Sequence, residues 1–502
     1  MASIPSRETD GDRVGSTISP HLAKPAYIVV FRRPSETNQP FLEKTLKVKA
    51  ARGVAMRASV MQYEPRAQGH AAPKLYRRLG VALADLEKSE IEQLLKHDNV
   101  ATVVRNRVRT VPKPISVVGH VAGLAASDIR STTGELPAEP LAAYLLGMRD
   151  AADAALRITG RARPSFAPQQ QELRAVPLSN TAWHLSAIDI ASTNATGKGV
   201  KVAVLDTGID LNHPDFRGIF TEGVNASSFV PGESIQDGHG HGTHCAGLVA
   251  GPAQPASGPR YGVAPDVQLL IGKVLNQAGS GTDDQILEAI DWAADTGAKI
   301  ISMSLGSERF PGEEFASPYE TVASTLCNSQ PGVLLIAAAG NESNRPSYTR
   351  PVGNPAACAS IMSVAAIDES RQVAYFSCAA MDDIGLVDIS GPGVAVYSSF
   401  LGGGYRLLSG TSMATPVVSG TAALHLEQNP ALSAIALWKS LTDSASRLGD
   451  PKDFGAGLVQ AKAVPPQPSP ILVPRRGRRH KSPTRSRGST PAEPQPTKAM
   501  SI

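Results

Sequence analysis

Three short stretches of this chain hold the polar side chains from which covalent chemistry at neutral pH can be assembled. Val202-Ala-Val-Leu-Asp-Thr-Gly208 sets Asp206 at the end of an apolar run. Asp237-Gly-His-Gly-His-Gly-Thr-His-Cys-Ala-Gly247 supplies histidines just before an apolar helical stretch, and Ser409-Gly-Thr-Ser-Met-Ala-Thr-Pro416 puts Ser412 on a glycine-preceded turn. A serine hydroxyl is a poor nucleophile unless a base lies within hydrogen-bond reach and a third group fixes the tautomer of that base. A serine, a histidine and a carboxylate at three strand-to-helix junctions meet this requirement. The helix after Ser412, with Pro416 expected just inside it, would aim unpaired backbone N–H groups at developing negative charge. A fourth stretch, Val333-Leu-Leu-Ile-Ala-Ala-Ala-Gly-Asn-Glu342, ends an apolar run in Gly340-Asn341. A neutral amide there could donate to a tetrahedral oxyanion. Acyl transfer is the chemistry that suits these groups together.

Each group also has a bland use. Asp206 alone would serve as a turn former, and Ser412 alone as a helix cap. His239, His241 and His244 approach the HxHxDH spacing of metallo-hydrolases, with Thr243 in place of the aspartate, and imidazoles this close could bind zinc. That reading leaves Asp206, Asn341 and Ser412 unexplained, and no further histidine-rich ligand set follows, so no metal is expected. The glycines of Asp237–Gly247 are not a phosphate loop, because no Gly-Lys-Ser/Thr follows them.

The elements that must position these groups come from the apolar rhythm of residues 181–464. Strand-like runs (Val200–Leu205, Val267–Val274, Ile300–Leu305, Val333–Ala338, Ile361–Ala366) alternate with helical stretches (His244–Ala250, Asp283–Thr296, Tyr319–Cys327, Thr415–Glu427). Near-continuous apolar runs between helices predict a parallel sheet buried on both faces, which gathers functional groups at the carboxyl ends of its strands. Upstream, residues 26–113 predict a small α+β domain. It has a strand at Ala26–Phe31, a strand reading at Leu75–Leu83, and a helix at Ser89–Lys96 capped by Ser89 with Glu92. A closing strand follows at Asn99–Val111, where Val103, Arg105, Arg107 and Arg109 alternate, and the segment as a whole is basic. Residues 1–25 read as a polar segment, 114–180 as a connector with a helix over Pro140–Leu156, and 465–502 as a disordered Pro/Arg/Ser-rich tail.

Composition bounds the rest. With 42% hydrophobic residues the chain can bury a sizeable core. Its longest wholly apolar run, Val333–Ala339, is far below the ~18 residues of a membrane helix. The net charge of +4 divides unevenly. The tail from Pro465 carries eight Lys/Arg and one acidic residue, so the remainder is slightly acidic, and nucleic acid is not the expected partner. The tail's Arg475–Lys481 run reads as a solvated segment. Four cysteines in a chain of this length are expected as free or buried thiols rather than a disulfide framework. The polar N-terminus shows no secretory h-region, which leaves the cytoplasm, or export by another route, as the expected location.

The segments Asp206-Thr-Gly208, His241-Gly-Thr-His244 and Gly410-Thr-Ser-Met-Ala-Thr-Pro416, in that order, together with Ala337-Ala-Ala-Gly-Asn341, resemble the active-site blocks of the subtilisin family of serine proteases. The resemblance covers residues 181–464, and residues 26–113 are similar to that family's inhibitory propeptide. It implies a three-layer subtilisin-like α/β fold with a mostly parallel sheet, preceded by a small α+β propeptide domain. It also implies a serine endopeptidase made as a zymogen and working on protein or peptide substrates, with its own propeptide as inhibitor. Asp206 would orient the imidazole, His241 would act as general base and then acid, Ser412 as nucleophile, and Asn341 as oxyanion donor with the Ser412 N–H. Ser304, Leu305 and Gly306 resemble one substrate-binding edge and Gly279, Ser280 and Gly281 the other. Small residues at Gly306 and Ala338 imply a hydrophobic or broad first pocket. The family's usual histidine after the proline of the serine block is Val417 here. Gly251–Tyr261 replaces the Asn-rich loop that holds calcium in many secreted members; it shows no carboxylate cluster, so no cofactor is expected, with calcium left open. Cys245 resembles the free thiol that some members carry beneath the active site. Two other readings are a catalytically silent peptide-binding module and an intracellular maturation peptidase dedicated to one partner.

Overall fold

The computed structural model describes residues 27–35, 37–49, 60–62, 73–112 and 180–463. The expected polar segment 1–25, the Pro140–Leu156 helix and the tail from 465 lie outside the described residues.

A seven-stranded sheet forms the centre. Its strands are β7 (Lys201–Asp206), β8 (Ala226–Ser228), β9 (Gln268–Lys273), β11 (Ile300–Met303), β12 (Leu334–Ala338), β13 (Met362–Ile367) and β14 (Ile389–Pro392), and a short strand β10 (Ser280–Thr282) lies outside it. The order is β14-β13-β12-β11-β7-β9-β8 and every pairing is parallel. Successive side chains of a strand point to opposite faces, and both faces here are apolar. Val202, Val204, Ile300, Leu334 and Ile336 enter one core with helices α3 (His241–Ala250) and α6 (Thr411–Gln428). Ala203, Leu205, Ile301, Met303 and Leu335 enter a second core with α4 (Asp283–Asp295) and α5 (Ser317–Cys327). This is the expected three-layer α/β fold. β8, β14 and the antiparallel hairpin of β15 (Val396–Ser399) and β16 (Tyr405–Leu408) were not legible as strands, each being four residues or fewer and all but β16 holding serine.

The N-terminal residues form a separate five-stranded sheet, ordered β2-β3-β4-β1-β5. Its strands are β1 (Tyr27–Phe31), β2 (Val60–Gln62), β3 (Lys74–Tyr76), β4 (Val81–Ala84) and β5 (Val100–Arg105). Helices α1 (Asn38–Leu46) and α2 (Lys88–Leu95) bury Leu42, Leu46 and Leu94 against one face of it, with Val29, Phe31 and Ala82. The other face, through Ile28, Val30, Tyr76 and Val81, shares the core of α4 and α5. The basic character of this segment meets acids on α4: Lys74 pairs with Glu288 at 2.8 Å, and Arg78 with Asp291 at 3.1 Å and Asp295 at 2.6 Å. Four of these five side chains are partly open to water and Asp291 alone is buried; pairs open to water add little each, so the shared apolar face carries most of the attachment.

Three local expectations need correction. Leu75–Leu83 is a hairpin rather than one strand, since Gly80 takes φ +68° and lets β3 turn back on β4. α2 is capped by Glu87 with Glu90, a capping box two residues earlier than Ser89 with Glu92, and Leu95 is exposed. Asn99–Val111 is two strands: after Arg105 the chain leaves the N-terminal sheet, and β6 (Val108–Thr110) pairs instead with β10. Alternating residues revealed the extended backbone but not its change of partner. Among the described residues, no helix is long and apolar enough to cross a membrane.

Candidate active site

Asp206 closes β7 and His241 opens α3, so the two meet where strand and helix converge. The imidazole Nδ1 lies 2.7 Å from Asp206 Oδ1, which also accepts the Thr207 N–H at 2.8 Å. This approach depends on glycine: a Cβ on Gly242 would stand 2.4 Å from the Gly208 carbonyl oxygen. Asp237 builds the turn into the helix. Its Oδ1 accepts from Thr207 Oγ1, His239 N and Gly240 N, each at 2.9 Å, while Oδ2 accepts from Thr243 N at 2.9 Å and Thr243 Oγ1 at 2.7 Å. A carboxylate that satisfies the first N–H groups of a helix fixes where its first side chain points. Sequence reasoning gave Asp237 no role; an acid four residues before the histidine was the available signal.

Ser412 sits in the first turn of α6, which begins at Thr411. Pro416 therefore lies a full turn inside the helix, deeper than expected, and its missing N–H leaves the Ser412 carbonyl without its usual partner. Ser304 Oγ donates to that oxygen at 2.8 Å, and Cys245 Sγ at 3.5 Å. The same sulfur lies 3.8 Å from His241 Nδ1, so one buried thiol touches both the histidine and the serine backbone. Asn341 Oδ1 accepts from Thr411 N at 2.9 Å and Thr411 Oγ1 at 2.8 Å, which orients the amide. Its Nδ2 stands 3.0 Å from where a Cβ on Gly410 would be, beside the start of the serine helix. Thr411 was another residue whose role the sequence reading did not identify.

Three buried atoms at this junction lack a hydrogen-bond partner: Asp206 Oδ2, His241 Nε2 and Ser412 Oγ. Orphaned buried polar atoms are costly and uncommon, and they persist where function requires them. Burial pulls the His241 imidazole down, but Asp206 beside it outweighs this and holds it well above its ordinary value. Burial raises the Cys245 thiol, against a lowering effect from His241.

The other two histidines do not join His241 as a ligand set. His244 Nε2 lies on the carbonyls of Val396 (3.1 Å) and Arg406 (3.0 Å), and burial pushes its imidazole down to about 3. His239 is half-buried and stacks edgewise, 6.2 Å from the His241 ring. Among the described residues, the single close group of possible metal ligands is Asp206, His241 and Cys245. The Gly251–Tyr261 loop is tied to one carboxylate. Its neighbouring carboxylate, Asp215, is filled by donors: Ala256 N at 2.7 Å, Tyr261 Oη at 2.6 Å and Tyr405 Oη at 3.0 Å. All four cysteines are buried free thiols.

Beside the junction runs a cleft whose two edges are Gly279–Thr282 and Gly306, and the chain's own residues 107–111 lie between them as a middle strand. Ser280 pairs with Thr110, Gly281 with Arg109 and Thr282 with Val108, all antiparallel. Across the other side, Thr110 N donates to Gly306 O at 3.1 Å and Gly306 N to Thr110 O at 3.0 Å. Val111 N donates to Gly279 O at 2.8 Å. Of the residues expected at the edges, Gly279, Ser280, Gly281 and Gly306 touch this strand through their backbones. Ser304 turns its side chain to Ser412, and Leu305 is fully buried. Thr110 and Pro112 then stand at a cavity of about 170 Å³ lined also by Gly306, Ala338 and Gly340. Glu308 and Glu342 join that lining, which makes it more polar than its small residues alone implied.

A profile of the Subtilase family matches residues 197–457. The chain is similar to Subtilisin Savinase of Lederbergia lenta, 41% identical over 289 residues that cover 56% of this chain and 97% of that one. It is 38% identical to Subtilisin DY of Bacillus licheniformis over 281 residues, 56% of this chain and 96% of that one. Alkaline elastase YaB of Bacillus sp. (strain YaB) is 40% identical over 305 residues, 60% of this chain and 74% of the relative. The crystal structure of a cold adapted subtilisin-like serine proteinase matches with a TM-score of 0.47 at 30% identity, over 57% of this chain and 100% of that chain. A profile that spans more than half of the chain, and relatives matched along nearly their whole length, make this protein a member of the subtilase family of serine peptidases, related to the Bacillus subtilisins.

Proposed function

We propose that this peptidase is an endopeptidase made as a zymogen, with Ser412 as nucleophile, His241 as general base and then acid, and Asp206 as the group that orients and charges the imidazole. The observation that carries the reading is the meeting of the three elements around one point. His241 Nδ1 is 2.7 Å from Asp206 Oδ1, and Cys245 Sγ contacts both His241 Nδ1 and the Ser412 carbonyl.

The chemistry follows from the atoms. Ser412 Oγ adds to a substrate carbonyl carbon while its proton passes to His241 Nε2, and the imidazolium so formed is stabilised by Asp206. The carbonyl oxygen becomes an oxyanion, which the Ser412 N–H and Asn341 Nδ2 stabilise. The proton on Nε2 goes to the leaving amine as the C–N bond breaks, leaving an ester on Ser412. Water then repeats the sequence, giving up its proton to His241 and releasing the acid. No step calls for a metal.

Residues 26–113 would act as the inhibitory propeptide and 181–464 as the catalytic domain, with processing in the 114–180 connector. The strand 107–111 supports this, since it occupies the edges that an extended substrate would use. The test is the full chain expressed with and without Ser412→Ala. The wild type is expected to cut itself to roughly 30–35 kDa, at ~110 Da per residue, and to take a fluorophosphonate label on Ser412. The variant should stay full length. Maturation of the variant at the wild-type rate would refute self-cleavage, and a matured wild type without a Ser412 adduct would point to a silent peptide-binding module.

A further inference from the structure

The middle strand in the cleft carries a side chain that its backbone pairing does not require. Arg109 is buried, and its guanidinium is held by a carboxylate equally buried: Nε lies 2.6 Å from Asp283 Oδ1 and Nη2 3.3 Å from Oδ2. Nη1 donates to Ser307 Oγ, and the guanidinium carbon lies 5.5 Å from the centre of the Tyr319 ring. Tyr319 Oη donates to Asp283 Oδ1 at 2.9 Å. Asp283, Ser307 and Tyr319 all belong to the body of the enzyme, on α4, on the turn after β11 and on α5.

An acid in the first turn of a helix is ordinary, because it offsets the helix dipole. It is ordinarily exposed, however, whereas the Asp283 side chain is 3% exposed and both its oxygens face the strand. When residues 107–111 leave, Asp283 loses the Arg109 guanidinium and the Arg107 N–H at 3.2 Å together, and of these donors only Tyr319 stays. A carboxylate left with that one donor favours whichever incoming strand returns a cation to it. A planar fork suits the two oxygens and the flanking aromatic ring better than an ammonium does.

We propose that this pocket is a specificity site for arginine in the substrate, at the position that Arg109 takes opposite Gly281, one residue before the one that pairs with Gly306. The inference rests on the peptidase reading above and names its substrate class: extended segments with an arginine at that position.

The test uses the full chain carrying an inserted site for an added sequence-specific protease within 113–179, so that the mature form is obtained whether or not the chain cuts itself. Fluorogenic peptides identical except for Arg, Lys or Ala at the position are compared for kcat/KM, and the same peptides, labelled, are compared for binding. Arginine is expected to exceed alanine by about 10²-fold, mostly through KM and binding, with lysine between them. In Asp283→Asn the Arg-to-Ala ratio should shrink to within about threefold. Should that variant misfold, octapeptides of residues 105–112 with Arg or Ala at 109 are compared as inhibitors of the wild-type enzyme, where the same preference is expected. Turnover with equal kcat/KM for Arg and Ala peptides overturns the specificity site and leaves the peptidase reading intact. Arginine-dependent binding without turnover does the reverse.

Discussion

Replacing Asp206 by asparagine separates the two services that the carboxylate gives to His241. Asp206 Oδ1 accepts both the Thr207 N–H and the imidazole Nδ1, while Oδ2 has no partner. An asparagine can therefore keep its carbonyl oxygen in the Oδ1 place and its amide in the empty one. Ring orientation and tautomer survive; the charge is lost. Two unit charges about 4 Å apart at an effective dielectric of about 20 interact by about 4 kcal/mol. At one decade per ~1.4 kcal/mol, kcat/KM should fall about 10³-fold. The pH profile carries a second signature. In the wild type Asp206 holds the imidazole well above 6.5 against a lowering by burial. Catalysis needs the neutral ring, so activity rises with pH as that proton leaves. Without the charge the main influence that raises the imidazole is gone, and the acid limb moves to lower pH. The assay is kcat/KM on a peptide substrate across pH, with the variant matured through an inserted cleavage site. A loss below tenfold, or an acid limb that does not move, would refute the reasoning.

Asn341→Ala should lower kcat by about 10²–10³ with little change in KM, as expected for removing one oxyanion donor; unchanged turnover would remove Asn341 from that role. Asp382→Asn tests how the buried Arg309 is held. Arg309 is fully buried and forks onto Asp382 at 2.8 Å through both terminal nitrogens, so loss of the charge should cost about 2 kcal/mol in thermal unfolding at pH 7, measured in a Ser412→Ala background. Burial pushes Asp382 up, but Arg309 and the neighbouring N–H groups bring it down to about 2. Its stabilising effect is therefore complete above the ordinary value of 3.8 and fades as pH falls toward 2, where the two proteins should converge. Persistence of the full gap at pH 2 would contradict the assignment.

The catalytic body was legible because each of its sheet strands from β7 to β13, β8 excepted, is a buried parallel strand of plain apolar residues, and because glycine, histidine and serine stand at fixed offsets from those runs. What escaped notice is non-local. Nothing near Asp237 says that its two oxygens serve five donors, four on the turn into α3 and one on Thr207. Nor does the alternation of Val103, Arg105, Arg107 and Arg109 say that the chain changes sheets at Asn106. Arg109 looked like one more basic residue on a strand, and Asp283 like one acid at a helix start. Their pairing spans 174 positions and becomes visible only when the backbone of one segment is laid into the groove of another.

The narrow slot that receives residues 107–111 has a bearing on what this enzyme can digest. One edge follows that segment through the main chain over five residues, or roughly 17 Å at ~3.3 Å per residue, and Gly306 grips it from the other side at Thr110. A tightly folded target offers no such length of free thread. Cutting will therefore follow local looseness in the victim: long, pliable surface excursions and unravelled ends go first, and rigid cores are spared until they melt.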